Sequence, residues 1–223
     1  MKSRIPTLAL PLGFILLAVF AFPSQPFGSG AFYASALFLA LALVLSSPKR
    51  FDLAESLAYL LLVPKRGEGL RLLAWGFAAL ISFFLITVVL DVFLISFGLL
   101  DNSPVEDAIR SLPPLVLLSA VVLAPLAEEM FFRGYLFRKL AEKIRKLSGA
   151  IPAGVPAAAS AVASSAFFAL LHFSYGSVSE IIVAFSIGFA LCAFTQKSGS
   201  LYPAIFAHAS YNLLSILYVL VLA

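Results

Sequence analysis

The sequence predicts an all-α, polytopic membrane protein with about seven transmembrane helices and one interfacial helix. Of its 223 residues, 62% are hydrophobic and 12% are charged, whereas a soluble domain carries about twice that charged fraction. The hydrophobic residues form successive runs that are long enough to span, or nearly span, a bilayer. Lysine and arginine gather between alternate runs, which is typical of membrane proteins.

Residues 1–111 are predicted to contain three spans, 7–22, 31–46 and 72–100, together with the interfacial helix. A cleavable signal peptide is the alternative for the first span, but its conceivable cleavage site, Ala34-Ser35-Ala36, falls inside the next apolar run. This position favours an uncleaved span. The segment 51–63 contains two acidic residues and is short for a span, so we expect it to lie at the membrane surface. Asp91 is expected at a solvated helix end.

Residues 112–223 are predicted to contain four further spans, and the whole chain, 1–223, to form a single membrane domain. A charged loop, 101–111, leads into the span 112–137. A strongly basic segment and a connector rich in Gly and Pro follow this span. The last three spans are predicted at 157–173, 181–195 and 202–222.

Charge predicts the orientation of the chain. In a seven-span arrangement, 13 of the 15 basic residues lie on the same side of the membrane as the N-terminus. Cytoplasmic loops collect Lys and Arg, so the N-terminus and the basic loops are predicted to be cytoplasmic. The net charge of +4 therefore needs no nucleic-acid partner to explain it.

The single cysteine, Cys192, excludes a disulfide framework within the chain.

Three charged side chains, Glu128, Glu129 and Arg133, interrupt the apolar run 112–137. Ionisable groups at membrane depth are costly, and they are tolerated where they face a protein or water-filled interior. If 112–138 is one helix, Glu129 and Arg133 lie on one face and can neutralise each other. Glu128 lies about 100° round the helix, lacks that partner and suits a general base or acid. The alternative is a structural polar cluster that locks helices together.

Both histidines of the chain lie in apolar spans. His172 ends a Phe168-x-x-x-His172 motif, and His208 begins a His208-x-x-x-Asn212 motif, whose two side chains share a helical face. Each histidine could simply be a hydrogen-bond donor in helix packing. Together with Glu128, however, these residues offer a base, an imidazole to share a water or metal, and donors for an oxyanion. Those groups can add water to a peptide carbonyl.

The three motifs, in this order, resemble the CAAX prenyl protease 2 or CPBP (Abi) family of intramembrane metalloproteases. The resemblance covers residues 112–223 and implies an active site in a membrane-embedded cavity. It implies that Glu128 activates water with the help of His172, that His208 and Asn212 hold the oxyanion, and that Glu129 and Arg133 shape the site. The implied substrates are prenylated CAAX-type C-termini, leader peptides or other membrane-associated peptides. Family members also include immunity and scaffold proteins.

A divalent metal such as zinc is one implied cofactor. Glu128, His172 and His208 could supply three ligands, with water as the fourth. The H-E-x-x-H helix of many zinc proteases is missing, and a glutamate–histidine pair can activate water without a metal. Both mechanisms stay open at the level of sequence.

Depth along the helices gives a further expectation. A rise of about 1.5 Å per residue places Glu128 about 15 Å and His172 about 22 Å from the basic ends of their spans. The His172 helix must therefore be short, tilted or broken inside the protein near 174–176. We expect a water-filled chamber that opens toward the cytoplasm. Its candidate apolar walls are Phe131, Phe132, Phe167 and Phe168, of which Phe131, Phe132 and Phe168 are the predicted substrate-binding residues.

Two other functions would also place charges in a membrane. A proton-coupled transporter would more typically show internal repeats and paired broken helices, neither of which the sequence contains. A non-catalytic scaffold or immunity protein would need the motifs only for packing. The ordered motifs favour an intramembrane endopeptidase. Its expected partners are a peptide or lipidated protein substrate and membrane lipid, without nucleic acid.

Overall fold

The computed structural model describes residues 26–46, 52–148, 152 and 154–222, and it contains helices and no strand within them. The predicted span 7–22 lies outside the described residues. Two short stretches depart from α-helical geometry: a π-helical segment, Met130–Leu136, and a 3₁₀ turn, His172–Tyr175. The α-helices are α1 (Pro26–Leu45), α2 (Leu53–Tyr59), α3 (Gly69–Ser96), α4 (Ser103–Ser111), α5 (Pro114–Glu129), α6 (Phe137–Ser148), α7 (Gly154–Leu171), α8 (Val178–Ser198) and α9 (Tyr202–Val221).

Five helical stretches of the described chain are long and apolar enough to cross a membrane: Gly69–Ser96, Pro114–Leu147, Gly154–Tyr175, Val178–Ser198 and Tyr202–Val221. Helix α1 adds a shorter apolar stretch, Ala34–Leu45. The chain is therefore an integral, multi-pass membrane protein. The predicted number of seven spans stays a prediction.

Some predicted elements differ from those observed. The segment 101–111, expected to be a loop, contains helix α4, which has Pro104 in its first turn, where a missing N–H costs nothing. Within the predicted segment 51–63, Leu53–Tyr59 forms α2, a helix of 7 residues whose N-terminus is capped by the Asp52 side chain. The span expected as one α-helix over 112–138 is continuous but changes its helical pitch after Glu129.

The π-helical segment Met130–Leu136 produces this change in helical pitch. Its Phe132 carbonyl accepts the amide N–H of Phe137, five residues on, and also the Ser164 hydroxyl at 3.0 Å. Gly134 allows two leucines to approach, because a Cβ atom there would lie 2.9 Å from side-chain atoms of both Leu60 and Leu201. A short π-helical insertion often marks a functional site, and this one begins directly after the two glutamates.

The C-terminal helices pack against one another and against α1 and α3. Helix α9 lies against α3 and α5, and α7 packs against α8, while α1 covers α5 and the π segment. Small residues allow the helix backbones to approach closely, as expected of helices in a membrane. A core between α3, α8 and α9 is formed by Ala79, Phe83, Val183, Ile187, Leu191, Ala204 and Ala207. This packing brings the motif residues of α5, α7 and α9 toward one another.

Candidate active site

The ion pair that the residue spacing predicts is formed in the protein interior. Arg133 Nη1 donates to Glu129 Oε1 at 2.8 Å, and neither side chain is exposed to solvent. Glu129 is the last residue of α5, whereas Arg133 belongs to the π segment. Each charge compensates the other, which lowers the cost of burying both.

Helices α7 and α8 enclose the Arg133 guanidinium. Its Cζ atom lies 4.3 Å from the centre of the Phe168 ring, which is a cation–π distance. Gly188 makes room for the guanidinium, because a Cβ atom at this position would lie 2.9 Å from Nη2 and 3.3 Å from Ser165 Cβ. Neither Gly188 nor Ser165 belongs to a motif. The only sequence signal for them is a small residue inside a span.

His208, on α9, contacts both glutamates. Its Nδ1 lies 2.8 Å from Glu129 Oε1, and its Nε2 lies 3.9 Å from Glu128 Oε2. An ionised carboxylate only accepts hydrogen bonds, so Nδ1 is the donor to Glu129. In the neutral ring, Nε2 then carries a lone pair. The buried Glu129 thereby fixes the orientation and the tautomer of His208 and turns an acceptor nitrogen toward Glu128.

Glu128 is the more accessible of the two carboxylates. Its side chain is 21% exposed, compared with 0% for Glu129. The 3.9 Å between Glu128 Oε2 and His208 Nε2 is too long for a direct hydrogen bond. One water molecule can contact both atoms across this distance, so the pair has the geometry to hold and polarise a water.

His172 has different neighbours from those expected. Its Nδ1 donates to the Phe168 carbonyl at 3.0 Å, and its ring packs against those of Phe168 and Tyr175 at 4.7 and 5.9 Å. Within the described residues, His172 forms no ion-pair contact with a carboxylate. The imidazole within 4 Å of Glu128 is that of His208, and the predicted help of His172 to Glu128 stays a prediction. His172 follows Leu171, the last residue of α7, and opens the 3₁₀ turn.

Asn212 lies one turn after His208, and its Nδ2 donates to the Ala120 carbonyl of α5 at 2.9 Å. The side chain is half-buried and joins α9 to α5. An amide nitrogen carries two hydrogens, so one N–H remains to act as a donor to another group. The predicted oxyanion role of Asn212 rests on this second N–H.

The phenylalanines predicted to bind substrate belong to an aromatic cluster of the core. Phe132 is 0% and Phe168 3% exposed, and Phe132 packs edge-on against Phe168 at 5.3 Å. Phe131 is half-buried and stacks on Phe38 of α1 at 5.1 Å, whereas Phe167 is exposed. Substrate contact by Phe131, Phe132 and Phe168 stays a prediction, and Phe131 has the most accessible ring of the three.

The helix break expected near 174–176 is present, but it is not enclosed by protein. Ser174, Tyr175 and Gly176 are exposed, and Gly176 takes the left-handed conformation with φ 75°. The hydroxyls of Ser177 and Ser179 donate to the Asp101 carbonyl at 2.7 and 2.9 Å. These bonds fix the break at the end of the bundle, beside the segment that leads into α4.

Glu128, His172 and His208 suit zinc in chemical type. Glu128 and His208 face each other, and His172 Nε2 is also free of its own hydrogen when Nδ1 donates. Among the described residues, no three His, Cys, Asp or Glu side chains are grouped so that they could hold a metal ion. Zinc therefore stays a prediction from the resemblance, and no step below depends on it.

Two cavities, of about 390 and 200 Å³, lie beside α6, α7 and α8. No glutamate or histidine of the motifs lines either of them. A water-filled chamber around Glu128 stays a prediction.

The C-terminal half of the chain matches a known protein family. Residues 110–214 match the family model described as Rce1-like, type II CAAX prenyl endopeptidase Rce1-like. The matched range contains all three motifs and confirms the family that they predicted. No curated protein and no solved structure matches the chain.

Proposed function

We propose that this chain, whose residues 110–214 belong to the Rce1-like family of type II CAAX prenyl endopeptidases, hydrolyses a peptide bond of a membrane-associated substrate. The observation that supports this most strongly is the approach of Glu128 Oε2 to His208 Nε2 at 3.9 Å. Glu128 is partly accessible, and the nitrogen that faces it is an acceptor because Glu129 binds the other ring nitrogen.

In the proposed reaction, Glu128 and His208 hold one water molecule between them. Glu128 takes a proton from this water as its oxygen attacks the peptide carbonyl, and a tetrahedral intermediate forms. The second N–H of Asn212 is the candidate donor to the resulting oxyanion. Glu128 then returns the proton to the amine that leaves when the C–N bond breaks.

Glu129 and Arg133 act as positioning residues in this mechanism. Both are fully buried, and both reach the reaction through His208, whose Nδ1 shares the Glu129 Oε1 atom with Arg133. A group that fixes the tautomer of a catalytic imidazole without touching the substrate contributes by orientation.

The family description supports the proposed substrate class. A prenylated CAAX-type C-terminus is the first candidate, and a leader peptide is the second. Both would reach Glu128 from the membrane or its surface, because the glutamate lies within the long helical stretch Pro114–Leu147.

The test is cleavage by purified wild-type protein and by Glu128→Gln in detergent. The substrates are a farnesylated CAAX peptide, the same peptide without farnesyl, and a leader peptide. The matched control is Asp107→Asn, which makes the same acid-to-amide change at an exposed position in α4. We expect wild type and Asp107→Asn to cleave the farnesylated peptide, and Glu128→Gln to cleave it about 10²- to 10⁴-fold more slowly.

The other outcomes distinguish a different substrate, a non-catalytic role and a metal-dependent mechanism. Cleavage of the leader peptide alone would replace the CAAX substrate. Folded wild-type protein that cleaves none of the three would favour the scaffold or immunity role. A chelator added to the active protein tests zinc, since loss of activity that zinc restores would require a metal in the mechanism.

A further inference from the structure

The cavity of about 390 Å³ is called the polar cavity because several charged and polar side chains line it, although most of its lining surface is apolar. The proposed reaction uses none of these side chains. Arg138, Glu142 and Arg145 of α6 line it, together with Thr195 and Gln196 of α8. Its volume lies within the range of about 300–1,000 Å³ that is usual for small-molecule sites.

The charges that line this cavity are not balanced. Two arginines face one glutamate, and that glutamate has other partners: the Tyr59 hydroxyl donates to Glu142 Oε1 at 3.3 Å, and Lys139 Nζ lies 3.9 Å from Oε2. Burial, and next the Glu142 carboxylate, raises the pKa of Tyr59 to about 12, so its hydroxyl remains a donor. Neither arginine forms an ion pair, although all 11 Asp and Glu residues of the chain lie in its described part.

Two buried polar atoms at the cavity also lack partners. Arg138 Nη1 and Thr195 Oγ1 are both inaccessible and make no hydrogen bond within the described part of the chain. The Arg138 guanidinium is held in place by the Tyr59 ring, whose centre lies 4.5 Å from Cζ. Thr195 is 1% exposed. Buried donors without partners are costly, and a turn of either side chain toward the cavity would bring its donor to an acceptor ligand.

The second cavity, of about 200 Å³, adjoins the first and is mostly apolar. The two share Phe137, Ala157 and Gln196 as lining residues, and the remainder of the second lining is formed by Gly154, Ala158, Ala161, Phe189, Cys192 and Ala193. A polar cavity beside an apolar one suits a ligand with a charged head and a hydrocarbon part.

We propose that the polar cavity binds the phosphate group of an anionic phospholipid, with the adjoining apolar cavity receiving the start of an acyl chain. Arginine binds phosphate oxygens through two parallel N–H groups, and the Thr195 hydroxyl adds a further donor. The helical stretch Pro114–Leu147 has 34 residues and is about 50 Å long, compared with about 30 Å of hydrocarbon. Its basic end can therefore reach the headgroup region. Free inorganic phosphate shares the headgroup chemistry but not the acyl chain.

The test uses the full chain purified into nanodiscs of phosphatidylcholine, with or without added phosphatidylglycerol, and native mass spectrometry to count retained lipids. The binding variants are Arg145→Gln and Thr195→Val. Lys143→Gln is the matched control, because it removes the same charge from an exposed position of α6 that does not line the cavity. We expect wild type and Lys143→Gln to retain phosphatidylglycerol, and Arg145→Gln to bind it about tenfold more weakly, through loss of a charge-assisted hydrogen bond.

Equal retention by Arg145→Gln and Lys143→Gln would overturn the proposal, since the attraction would then come from the general charge of α6. Stronger retention by Thr195→Val than by wild type would also contradict it. A parallel experiment with inorganic phosphate in place of the lipid distinguishes binding of a phospholipid headgroup from binding of a free anion. If phosphate alone protects the protein against thermal unfolding as well as phosphatidylglycerol does, the cavity binds a soluble anion and the lipid assignment fails.

Discussion

Glu128 and Glu129 are adjacent in sequence, yet their surroundings give them different chemistry. Glu129 is fully buried and accepts from Arg133 and His208 through one oxygen, whereas Glu128 remains partly exposed and faces the free nitrogen of the same imidazole. The spacing of four residues was sufficient to predict the Glu129–Arg133 pair, because both residues lie on one helical face.

The partner of Glu128 could not be predicted in the same way. His208 lies 79 residues from Glu129, and its place depends on how α9 packs against α5. The resemblance implied that His172 assists Glu128, and this role stays a prediction. The histidine whose Nε2 lies 3.9 Å from Glu128 is His208. The parts played by Gly188 and Ser165 around Arg133 are likewise properties of packing and carry no motif.

Replacement of Arg133 with Leu tests the buried pair. The variant removes the cationic partner of the buried Glu129 and leaves His208 Nδ1 as its donor, and we expect it to lower the free energy of unfolding by about 3–5 kcal/mol. Denaturant titration in detergent measures this loss. Arg110→Leu, at an exposed position, should unfold like wild type.

Glu129→Gln combined with Arg133→Leu provides the second arm of this experiment. The double variant removes both charges, so part of the lost stability should return. An Arg133→Leu protein as stable as wild type would show that the pair contributes nothing to the fold.

At the scale of elements, the apolar runs predict the helices well and their internal geometry poorly. Each of the spans predicted at 72–100, 157–173, 181–195 and 202–222 corresponds to an observed helix with ends displaced by a few residues. Hydropathy identifies these helices because the lipid core requires a minimum length of apolar chain.

The π segment had no counterpart in the sequence reasoning. Its local pattern, with Met130, two phenylalanines and Gly134, is compatible with an ordinary α-helix. Tertiary contacts distinguish the two geometries: Ser164 binds the Phe132 carbonyl, and Gly134 allows the approach of Leu60 and Leu201. These contacts come from distant parts of the chain, and they determine where Arg133 lies relative to Glu129.

At the scale of the whole molecule, charge separates the two ends of the bundle. The described segments on one side of the spans carry Lys65, Arg66, Arg71, Lys197 and the basic residues of α6, whereas α4 on the other side carries Glu106, Asp107 and Arg110. The cytoplasmic placement of the basic end remains a prediction of the positive-inside rule.

Cysteine labelling checks this orientation. The native Cys192 is buried, so Cys192→Ala provides a background into which Asp107→Cys and Lys146→Cys are introduced separately at exposed positions. In intact cells, a membrane-impermeant maleimide should label the cysteine at 107, while the one at 146 should react only after permeabilisation. The reverse pattern, or labelling of both from outside, would show that the topology is wrong.

The proposed reaction requires Glu128 and His208 to act together on one water. The measurement that tests it most directly is kcat/KM for cleavage of the best substrate by wild type, Glu128→Gln, His208→Gln and the double variant, each shown to be folded. We expect each single variant to be about 10²- to 10⁴-fold slower and the double variant to be no slower than the worse single, because the pair works as a unit. Wild-type rates in folded Glu128→Gln, or losses that multiply in the double variant, would show that the two residues do not act together on the water.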